Sequence, residues 1–225
     1  MITAVPDAWL SQIMKRPVHR IAVVPDGQNT LEPSKGFYYA RVPTDTLTAA
    51  NELAALGFHV VDVSVTLERE VEHDGAPDSR IRAAVPSDRE AVMALARGGF
   101  RYSRFHLDER IGRPTADEVK ARWAGNFFDG KRGDHMLVAQ SGSTVVGFLQ
   151  LLHAPDDALV IDLIAVAESE RGRGWGKAMI RAAQPLARGS RLRVGTQVAN
   201  VESLRFYENL GFRTAASSYV MHLHA

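Results

Sequence analysis

The sequence contains no cysteine among its 225 residues. This absence excludes disulfides, cysteine metal sites and any reaction through a cysteine-bound intermediate. An excess of charge is also missing, because 27 Lys and Arg face 26 Asp and Glu, which argues against a general nucleic-acid-binding protein. No apolar run is long enough to span a bilayer, and residues 1–16 are mixed rather than signal-like. We therefore expect a cytoplasmic protein with no membrane partner, and the 45% hydrophobic content suffices for a core of one domain or two small ones.

Residues 159–184 carry the most informative pattern. The apolar, β-branched run at 159–166, with Asp162 inside it, predicts a buried strand that ends in a short acidic loop. A glycine-rich segment then opens a helix. Glycines let the backbone pass close to a ligand, and the first N–H groups of a helix have no partner of their own. The segment therefore predicts a cradle for a pyrophosphate, formed by Arg171, Gly172, Arg173, Gly174, Trp175, Gly176 and Lys177.

Two common phosphate-binding patterns do not fit this segment. A Walker loop would need a glycine at Arg171 and Ser or Thr at Ala178. A dinucleotide-binding fingerprint would need a glycine where Lys177 stands. A glycine-rich strand-to-helix turn without any ligand is the remaining structural alternative.

The two ends of the chain resemble each other. Near the start, strands are predicted at 20–24 and 37–42, then a helix capped by Thr44 that runs to residue 56, and a strand at 58–67. Near the end, a helix at 203–210 precedes an extended segment at 212–223. Both helices end in Leu-Gly-Phe, about 154 residues apart, which suggests a degenerate internal duplication or a coincidence. The first copy has no glycine-rich loop.

A fresh unit begins at residue 81, after a predicted linker at 73–79. We expect a strand at 81–84, helices at 89–96 and 115–127, a hairpin of strands 136–139 and 144–152, and a strand at 191–198. Pro185 should end the helix after the glycine-rich loop near residues 181–184.

The R-x-x-G-x-G pattern of Arg171, Gly174 and Gly176 resembles the acetyl-CoA pyrophosphate loop of the GNAT superfamily of N-acetyltransferases. The predicted order β-α-α-β-β-β-α-β-α-β over residues 80–225 is that of a GNAT domain. The resemblance implies an α/β (α+β) fold with a mixed central sheet and flanking helices, preceded by a truncated GNAT-like half at residues 1–75. It implies acetyl-CoA as co-substrate and no metal. The pantetheine arm of acetyl-CoA would lie along Leu163, Ile164, Ala165 and Val166.

Asn200 and Tyr207 resemble the late GNAT motif, in which an Asn contacts the CoA arm and a Tyr faces the thioester sulfur. A phenol can protonate a departing thiolate, because the pKa values of thiol and phenol differ by only about 1.5. The alternative is structural: Tyr207 would belong to a buried helix stripe, and Asn200 would cap the helix. Asp162 is the candidate general base, although an ion pair with an arginine is an equal alternative. His106 and Glu168 are weaker candidates for the base.

The substrate side resembles the TDP-fucosamine N-acetyltransferase family, through residues 100–106 (FRYSRFH), Trp123 and residues 192–200 (LRVGTQVAN). That family acetylates the 4-amine of a nucleotide-linked 4-amino-4,6-dideoxy sugar. For this chain we expect direct transfer in a ternary complex, because a chain without cysteine cannot form a cysteine acyl-enzyme. Arginines could then hold a diphosphate, aromatic rings could stack, and an amide could bind hydroxyls. The alternative is a surface arginine pair with core aromatics. The candidate residues are Arg101, Tyr102, Ser103, Arg104, Phe105 and Gln197.

Two other functions stay open at this stage. One is an N-acetyltransferase for another small-molecule or peptide amine, and the other is a non-catalytic module that binds acyl-CoA. A homodimer is compatible with either. The histidines show no metal-ligand spacing, although His222 and His224 alternate on one predicted strand face.

Overall fold

The computed structural model describes residues 2–23, 34–72 and 78–225. Its described strands form one ten-stranded mixed sheet in the order β1-β2-β3-β10-β4-β9-β8-β7-β6-β5. Helices pack against the sheet, so the mixed α/β fold with flanking helices that the family resemblance implies is confirmed. None of the described helices is long and apolar enough to cross a membrane.

The N-terminal segment contributes four strands and two helices. They are β1 (Ile2–Pro6), α1 (Ala8–Met14), β2 (Val18–Val23), β3 (Phe37–Pro43), α2 (Leu47–Ala55) and β4 (His59–Glu70). The predicted strand at 20–24 is β2, except that Val24 lies outside the described residues, as do residues 73–77 of the predicted linker. The predicted cap of α2 is wrong, since the Thr44 hydroxyl lies 2.6 Å from the Ser217 hydroxyl and Thr46 occupies the N-cap position.

The remaining elements follow the predicted order, with one short additional helix. They are β5 (Ile81–Ala83), α3 (Arg89–Gly99), the short α4 (Arg104–Leu107), α5 (Arg113–Phe128), β6 (His135–Ser141), β7 (Thr144–His153), β8 (Leu159–Val166), α6 (Trp175–Ala183), β9 (Arg191–Gln197), α7 (Val201–Asn209) and β10 (Arg213–His224). A 3-10 turn over Gln184–Leu186 takes over where α6 stops. The prediction that Pro185 ends this helix is confirmed.

The last strand of the N-terminal segment, β4, and the last strand of the chain, β10, each lie between strands of the opposite end of the chain, an arrangement called a strand exchange below. β4 lies between β9 and β10, and β10 lies between β4 and β3. Ser64 pairs with Ser218, the residue 154 positions later, and pairing on either side is reciprocal: Val63 with Tyr219, and Val65 with Ser217. The two register shifts in this ladder skip one residue each, at 61 and 215, which are again 154 apart.

The outer pairings obey the same shift of 154. Ser64 pairs with Gln197 of β9, and Ser218 pairs with Pro43 of β3. A helix, a Leu-Gly-Phe turn and a strand therefore occur twice about a local twofold axis at Ser64 and Ser218. This register supports an internal duplication rather than a coincidence of three letters.

Candidate active site

A cleft opens in the middle of the sheet, where β8 and β9 separate. These parallel strands pair at Leu159–Leu192, Val160–Arg193 and Ile161–Val194. The ladder stops there, although β8 continues to Val166 and β9 to Gln197. The separation begins at a β-bulge: Gln150 pairs with Leu163 and Leu151 with Ile161, so Asp162 is the extra residue. A bulge bends its strand and interrupts pairing, which leaves the β9-facing edge of residues 163–166 free for an extended ligand.

Many of the residues predicted for the site line this cleft, whose volume is about 310 Å³. Its walls come from β8, β9, the segment before α4, α5 and α7. The predicted residues among them are Arg101, Tyr102, Ser103, Asp162, Leu163, Ile164, Ala165, Val166, Arg171, Gln197, Asn200 and Tyr207. The other loop residues (172–177), Arg104 and Phe105 do not line it.

The glycine-rich loop follows β8 on the chain and leads into α6. Gly172 and Gly174 have φ of +76° and +81°, in the left-handed region that disfavours other residues, and a Cβ on either would meet nothing within 4 Å. Gly176 is needed for another reason, because a Cβ there would lie 2.9 Å from Phe206 Cζ. The loop is therefore a special backbone conformation followed by a close helix–helix contact. As at any helix start, the first N–H groups of α6 have no partner within the helix.

The side chains of the loop differ in burial and in ion pairing. The indole of Trp175 is buried in the core and donates a hydrogen bond to Glu170 (3.1 Å), so the backbone N–H of Trp175 is the part that could reach a phosphate. Arg173 lies 3.3 Å from Glu170, whereas Arg171 and Lys177 are exposed. Arg171 lines the cleft. Positive side chains and open N–H groups at a helix start fit an anion.

Tyr207 lies on α7, across the cleft from β8. Its ring is 3% exposed and packs edge-on against Phe206 and Phe212, with centroids 5.1 and 5.4 Å away. Its hydroxyl makes no hydrogen bond to the described residues, and burial raises the pKa of the phenol. Tyr207 therefore fits both predictions. Its ring belongs to the buried helix stripe, and the residue also lines the cleft. The phenol stays protonated at neutral pH, as an acid must.

Asn200 begins α7. Its side chain accepts a hydrogen bond from the Ser203 N–H (3.3 Å), so its role as a helix cap is confirmed. It also lines the cleft, which leaves contact with the CoA arm as a prediction.

The Asp162 side chain is held by three donor residues. Its carboxylate accepts hydrogen bonds from Arg132 (2.7 and 2.6 Å), Trp123 Nε1 (2.9 Å) and Gln150 Nε2 (3.1 Å). The carboxylate is therefore occupied by an arginine ion pair, which was the alternative to a general base. Its visible role is to hold the bulge that opens the cleft.

The predicted substrate-binding role of Phe105 is wrong. It is 1% exposed and packs with Leu10, Val18 and Phe37, so it cannot stack on a base or sugar in this structure. Arg101 lies at the cleft and forms an exposed ion pair with Glu168 (2.9 Å). The Glu168 carboxylate is thus paired at the surface rather than placed beside Tyr207 as a base.

A chain of three polar groups reaches the cleft from α4 and α5. Ser103 lines the cleft, and its hydroxyl lies 2.6 Å from His106 Nδ1. His106 Nε2 lies 2.9 Å from an Asp117 carboxylate oxygen. Because a carboxylate accepts, Nε2 carries the proton and Nδ1 accepts from Ser103. Burial lowers the pKa of His106, more than Asp117 raises it, so the imidazole is neutral at pH 7 and able to take a proton.

Lys120 is the cleft residue that sequence reasoning missed. Its Nζ lies over the rings of Phe100 and Trp123, 4.6 and 5.0 Å from their centroids. Burial lowers the pKa of this ammonium to about 8. The signal was available: Lys120 and Trp123 are three positions apart on a predicted helix and therefore share a face.

His222 and His224 face one carboxylate, that of Asp108. His222 Nδ1 and His224 Nε2 each lie within 2.7 Å of the same Asp108 oxygen, and the three groups have the proximity of a metal site. The other ring nitrogens face donors, Arg104 for His222 (3.2 Å) and Arg16 for His224 (2.9 Å). Both imidazoles therefore donate on one side and accept on the other. The cluster is a closed hydrogen-bond network between β10 and α4.

Comparison with known families agrees with this site. The profile described as Acetyltransferase (GNAT) family matches residues 89–212, more than half of the chain. The chain therefore belongs to the GNAT acetyltransferase family. It is an enzyme whose acyl donor is an acyl-CoA, as membership of that family implies.

Individual relatives add little about the substrate beyond membership of the family. The spore coat polysaccharide biosynthesis protein SpsD of Bacillus subtilis is 33% identical over 141 residues, which are 61% of this chain and 48% of that protein. The match thus spans about half the length of this curated relative. A GCN5-related N-acetyltransferase from Sphaerobacter thermophilus superimposes with a TM-score of 0.65 at 14% identity, over 99% of this chain and 75% of that one.

A tandem GNAT protein from the clavulanic acid biosynthesis pathway matches with a TM-score of 0.56 at 13% identity, over 92% of this chain and 75% of that one. At such identities these structures show a shared fold and nothing about substrates.

Proposed function

We propose that this acetyltransferase transfers the acetyl group of acetyl-CoA to the amine of a nucleotide-linked 4-amino-4,6-dideoxy sugar. One observation carries the acceptor class: the 33% identity to SpsD, which is described as a polysaccharide biosynthesis protein. The family resemblance of residues 100–106 and 192–200 points the same way, and both segments contribute to the cleft. Cations and aromatic rings at the acceptor side suit a nucleotide sugar better than a basic peptide.

The donor side follows from the loop and the cleft. Residues 171–177 would hold the pyrophosphate by backbone N–H groups and positive side chains. The unpaired edge of residues 163–166 would bond the amides of the pantetheine arm as a neighbouring strand does. A backbone N–H at the bulge edge would donate to the thioester oxygen as negative charge develops there.

The transfer itself needs one proton removed and one supplied. The amine nitrogen bonds to the thioester carbon, and the carbon–sulfur bond then breaks. Tyr207 donates its proton to the departing sulfur. Ser103 accepts the proton of the amine while its own proton moves to His106 Nδ1, and Asp117 holds the imidazole in the required tautomer. Ser103 and His106 replace Asp162 as the proton acceptor, because the Asp162 carboxylate is held in an ion pair with Arg132. It also accepts hydrogen bonds from Trp123 and Gln150.

We infer that residues 1–75 are a degenerate GNAT half and residues 80–225 the catalytic one. The shift of 154 that relates the pairings among β3, β4, β9 and β10 supports this division. The first half lacks the glycine-rich loop. It contributes β4 to the sheet of the catalytic half, directly beside the cleft wall β9.

The experiment is a measurement of CoA release with a thiol reagent, using TDP- and UDP-linked 4-amino-4,6-dideoxy sugars. Aminoglycosides, polyamines and peptides serve as control acceptors. We expect release with an amino-sugar nucleotide and none with the controls. Release with the controls alone would refute the sugar-nucleotide acceptor while leaving the acetyltransferase.

A further inference from the structure

A second pocket, of about 420 Å³, lies beside the cleft. The walls of this second pocket include Trp9, Tyr39, Arg104, Trp123, Asn126 and Lys131. Its volume is within the range of roughly 300–1,000 Å³ that is typical of small-molecule sites. Its residues come from α1 and β3 of the N-terminal segment and from α4, α5 and the turn that follows α5. Both halves of the chain therefore build it.

The second pocket and the cleft have no lining residue in common, but they approach each other at Trp123. The Trp123 ring faces the second pocket, while Lys120, one turn earlier on α5, lines the cleft with its Nζ 5.0 Å from that ring. The Trp123 indole also donates to Asp162, which lines the cleft. A ligand that fills both cavities passes this ring, so the second pocket lies at the acceptor side of the cleft and on no part of the pyrophosphate loop.

Cationic side chains outnumber carboxylates around this passage. Arg132 is paired with Asp162. Asp7 also lines the second pocket and keeps its negative charge, because its hydrogen-bond donors, the Tyr39 hydroxyl and the Leu10 N–H (both 2.9 Å), are neutral. Arg104 and Lys120 have no carboxylate within ion-pair distance in the described ranges. Arg104 instead lies 3.9 Å from the Tyr39 ring centroid and faces a neutral imidazole, since burial lowers the pKa of His222 to about 4. Two half-buried cations that form no ion pair with the described residues favour an anionic ligand.

The far end of the second pocket is aromatic. The indoles of Trp9 and Trp123 meet edge to face, with centroids 5.9 Å apart and an interplanar angle of 87°. Two perpendicular rings offer one face on which a flat ligand can stack and one edge that limits how far the ligand can enter. The side-chain amide of Asn126, also on the wall, makes no hydrogen bond to the part of the chain that the structure describes. It can both donate and accept, as the edge of a pyrimidine base requires.

We propose that the second pocket binds a nucleoside diphosphate, with its base against Trp9 and Trp123 and its diphosphate between Arg104 and Lys120. The attached sugar then extends past Lys120 into the cleft toward Tyr207. This assignment rests on the proposed function and adds the site that recognises the nucleotide. It also explains why stacking does not need Phe105, which is buried elsewhere.

The test is binding of free TDP to the full-length protein, measured by calorimetry in the presence of saturating CoA. The CoA occupies the pyrophosphate loop, so TDP cannot bind there in its place. Trp9→Ala should weaken TDP binding about tenfold or more through lost stacking. Lys120→Met should weaken TDP binding but leave the uncharged nucleoside thymidine unaffected. The matched control is Arg122→Met on the same helix, outside both cavities and in an exposed ion pair with Glu118, which should bind TDP as the wild type does.

The outcomes separate the pocket from the proposed function. Equal TDP binding by wild type, Trp9→Ala and Lys120→Met would overturn the pocket assignment, even if an amino-sugar nucleotide is acetylated. Absence of TDP binding to the wild type would overturn it as well. TDP binding that depends on Trp9 and Lys120, together with no acetylation of any amino-sugar nucleotide, would support the pocket and refute the acceptor. Acetyl-CoA affinity measured for each variant shows whether the fold of the cleft is intact.

Discussion

The glycine-rich loop yields a prediction from two glycines that are two residues apart. Gly174 needs its left-handed backbone (φ +81°) and has open space around it, whereas Gly176 has an ordinary φ and a close neighbour, Phe206. Gly174→Ala therefore strains the loop without a clash, and Gly176→Ala clashes without straining the loop. The two variants separate the conformation of the loop from the packing of α6.

The magnitudes follow from these geometries. A non-glycine residue in the left-handed region costs about 1–2 kcal/mol. If acyl-CoA binding requires the loop as it stands, this strain appears as a loss of affinity of about 5- to 30-fold, since 1.4 kcal/mol is a factor of ten. In Gly176→Ala the added Cβ lies 2.9 Å from Phe206 Cζ, the far end of a ring. Overpacking of this kind costs about 1–3 kcal/mol of stability, while the loop keeps its shape.

Calorimetric titration with CoA gives the affinity, and thermal unfolding without ligand gives the stability. We expect Gly174→Ala to lose CoA affinity while remaining folded, and Gly176→Ala to unfold at a lower temperature while binding CoA within about threefold of the wild type. A folded Gly174→Ala that binds CoA normally would refute the cradle. Equal losses of affinity in both variants would assign the effect to the helix rather than to the loop.

Three further predictions concern single side chains. Tyr207→Phe should lower kcat by about 100-fold with an unchanged Kd for acetyl-CoA, because the hydroxyl makes no hydrogen bond to the described residues; unchanged turnover would remove Tyr207 from the mechanism. Ser103→Ala and His106→Asn should lower kcat by similar factors, and the acidic limb of the wild-type kcat profile should lie below pH 6.5, because burial lowers the pKa of His106; an acidic limb above that value would refute the relay. Asp62→Asn should raise stability by about 1 kcal/mol at pH 7 and not at pH 4: burial raises the pKa of Asp62 to about 6, so its contribution to stability is present below pH 4 and lost as the pH rises through 6. Denaturant unfolding at both pH values measures the difference, and an equal gain at pH 4 would contradict the ionisation argument.

Local patterns in the sequence predict much of this fold. The strand β8 has the predicted bounds, and α6 ends before Pro185 because proline cannot continue the hydrogen-bond ladder. The segment that holds β1 and α1 gave no prediction, since its apolar residues follow neither a helical nor a strand period over enough length. The cap at Thr44 failed because its hydroxyl is taken by Ser217, a contact between residues 173 positions apart.

The site divides in the same way. The roles of Gly172 and Gly174 can be predicted from the sequence because their backbone conformation is a local property. The role of Phe105 cannot, because only the packed structure decides whether an aromatic residue beside arginines faces a ligand or the core. The bulge at Asp162 is equally hidden: it exists because β7 and β8 differ by one residue in their pairing, and no pattern within either strand records that.

The exchange of β4 and β10 gives a reason why the N-terminal half persists without a glycine-rich loop. β9, which carries Gln197 on the cleft wall, is paired on one side with β4 along its whole length and on the other with β8 only up to Ile161. Beyond that point, β4 is the only described strand that pairs with β9, while β8 diverges. The cleft can therefore stay open without β9 losing its hydrogen bonds. If the second pocket binds the nucleotide, the same half also supplies Trp9 and Tyr39. A half without the glycine-rich loop would then persist because its strand β4 supports one wall of the cleft and its Trp9 and Tyr39 form part of the proposed acceptor site.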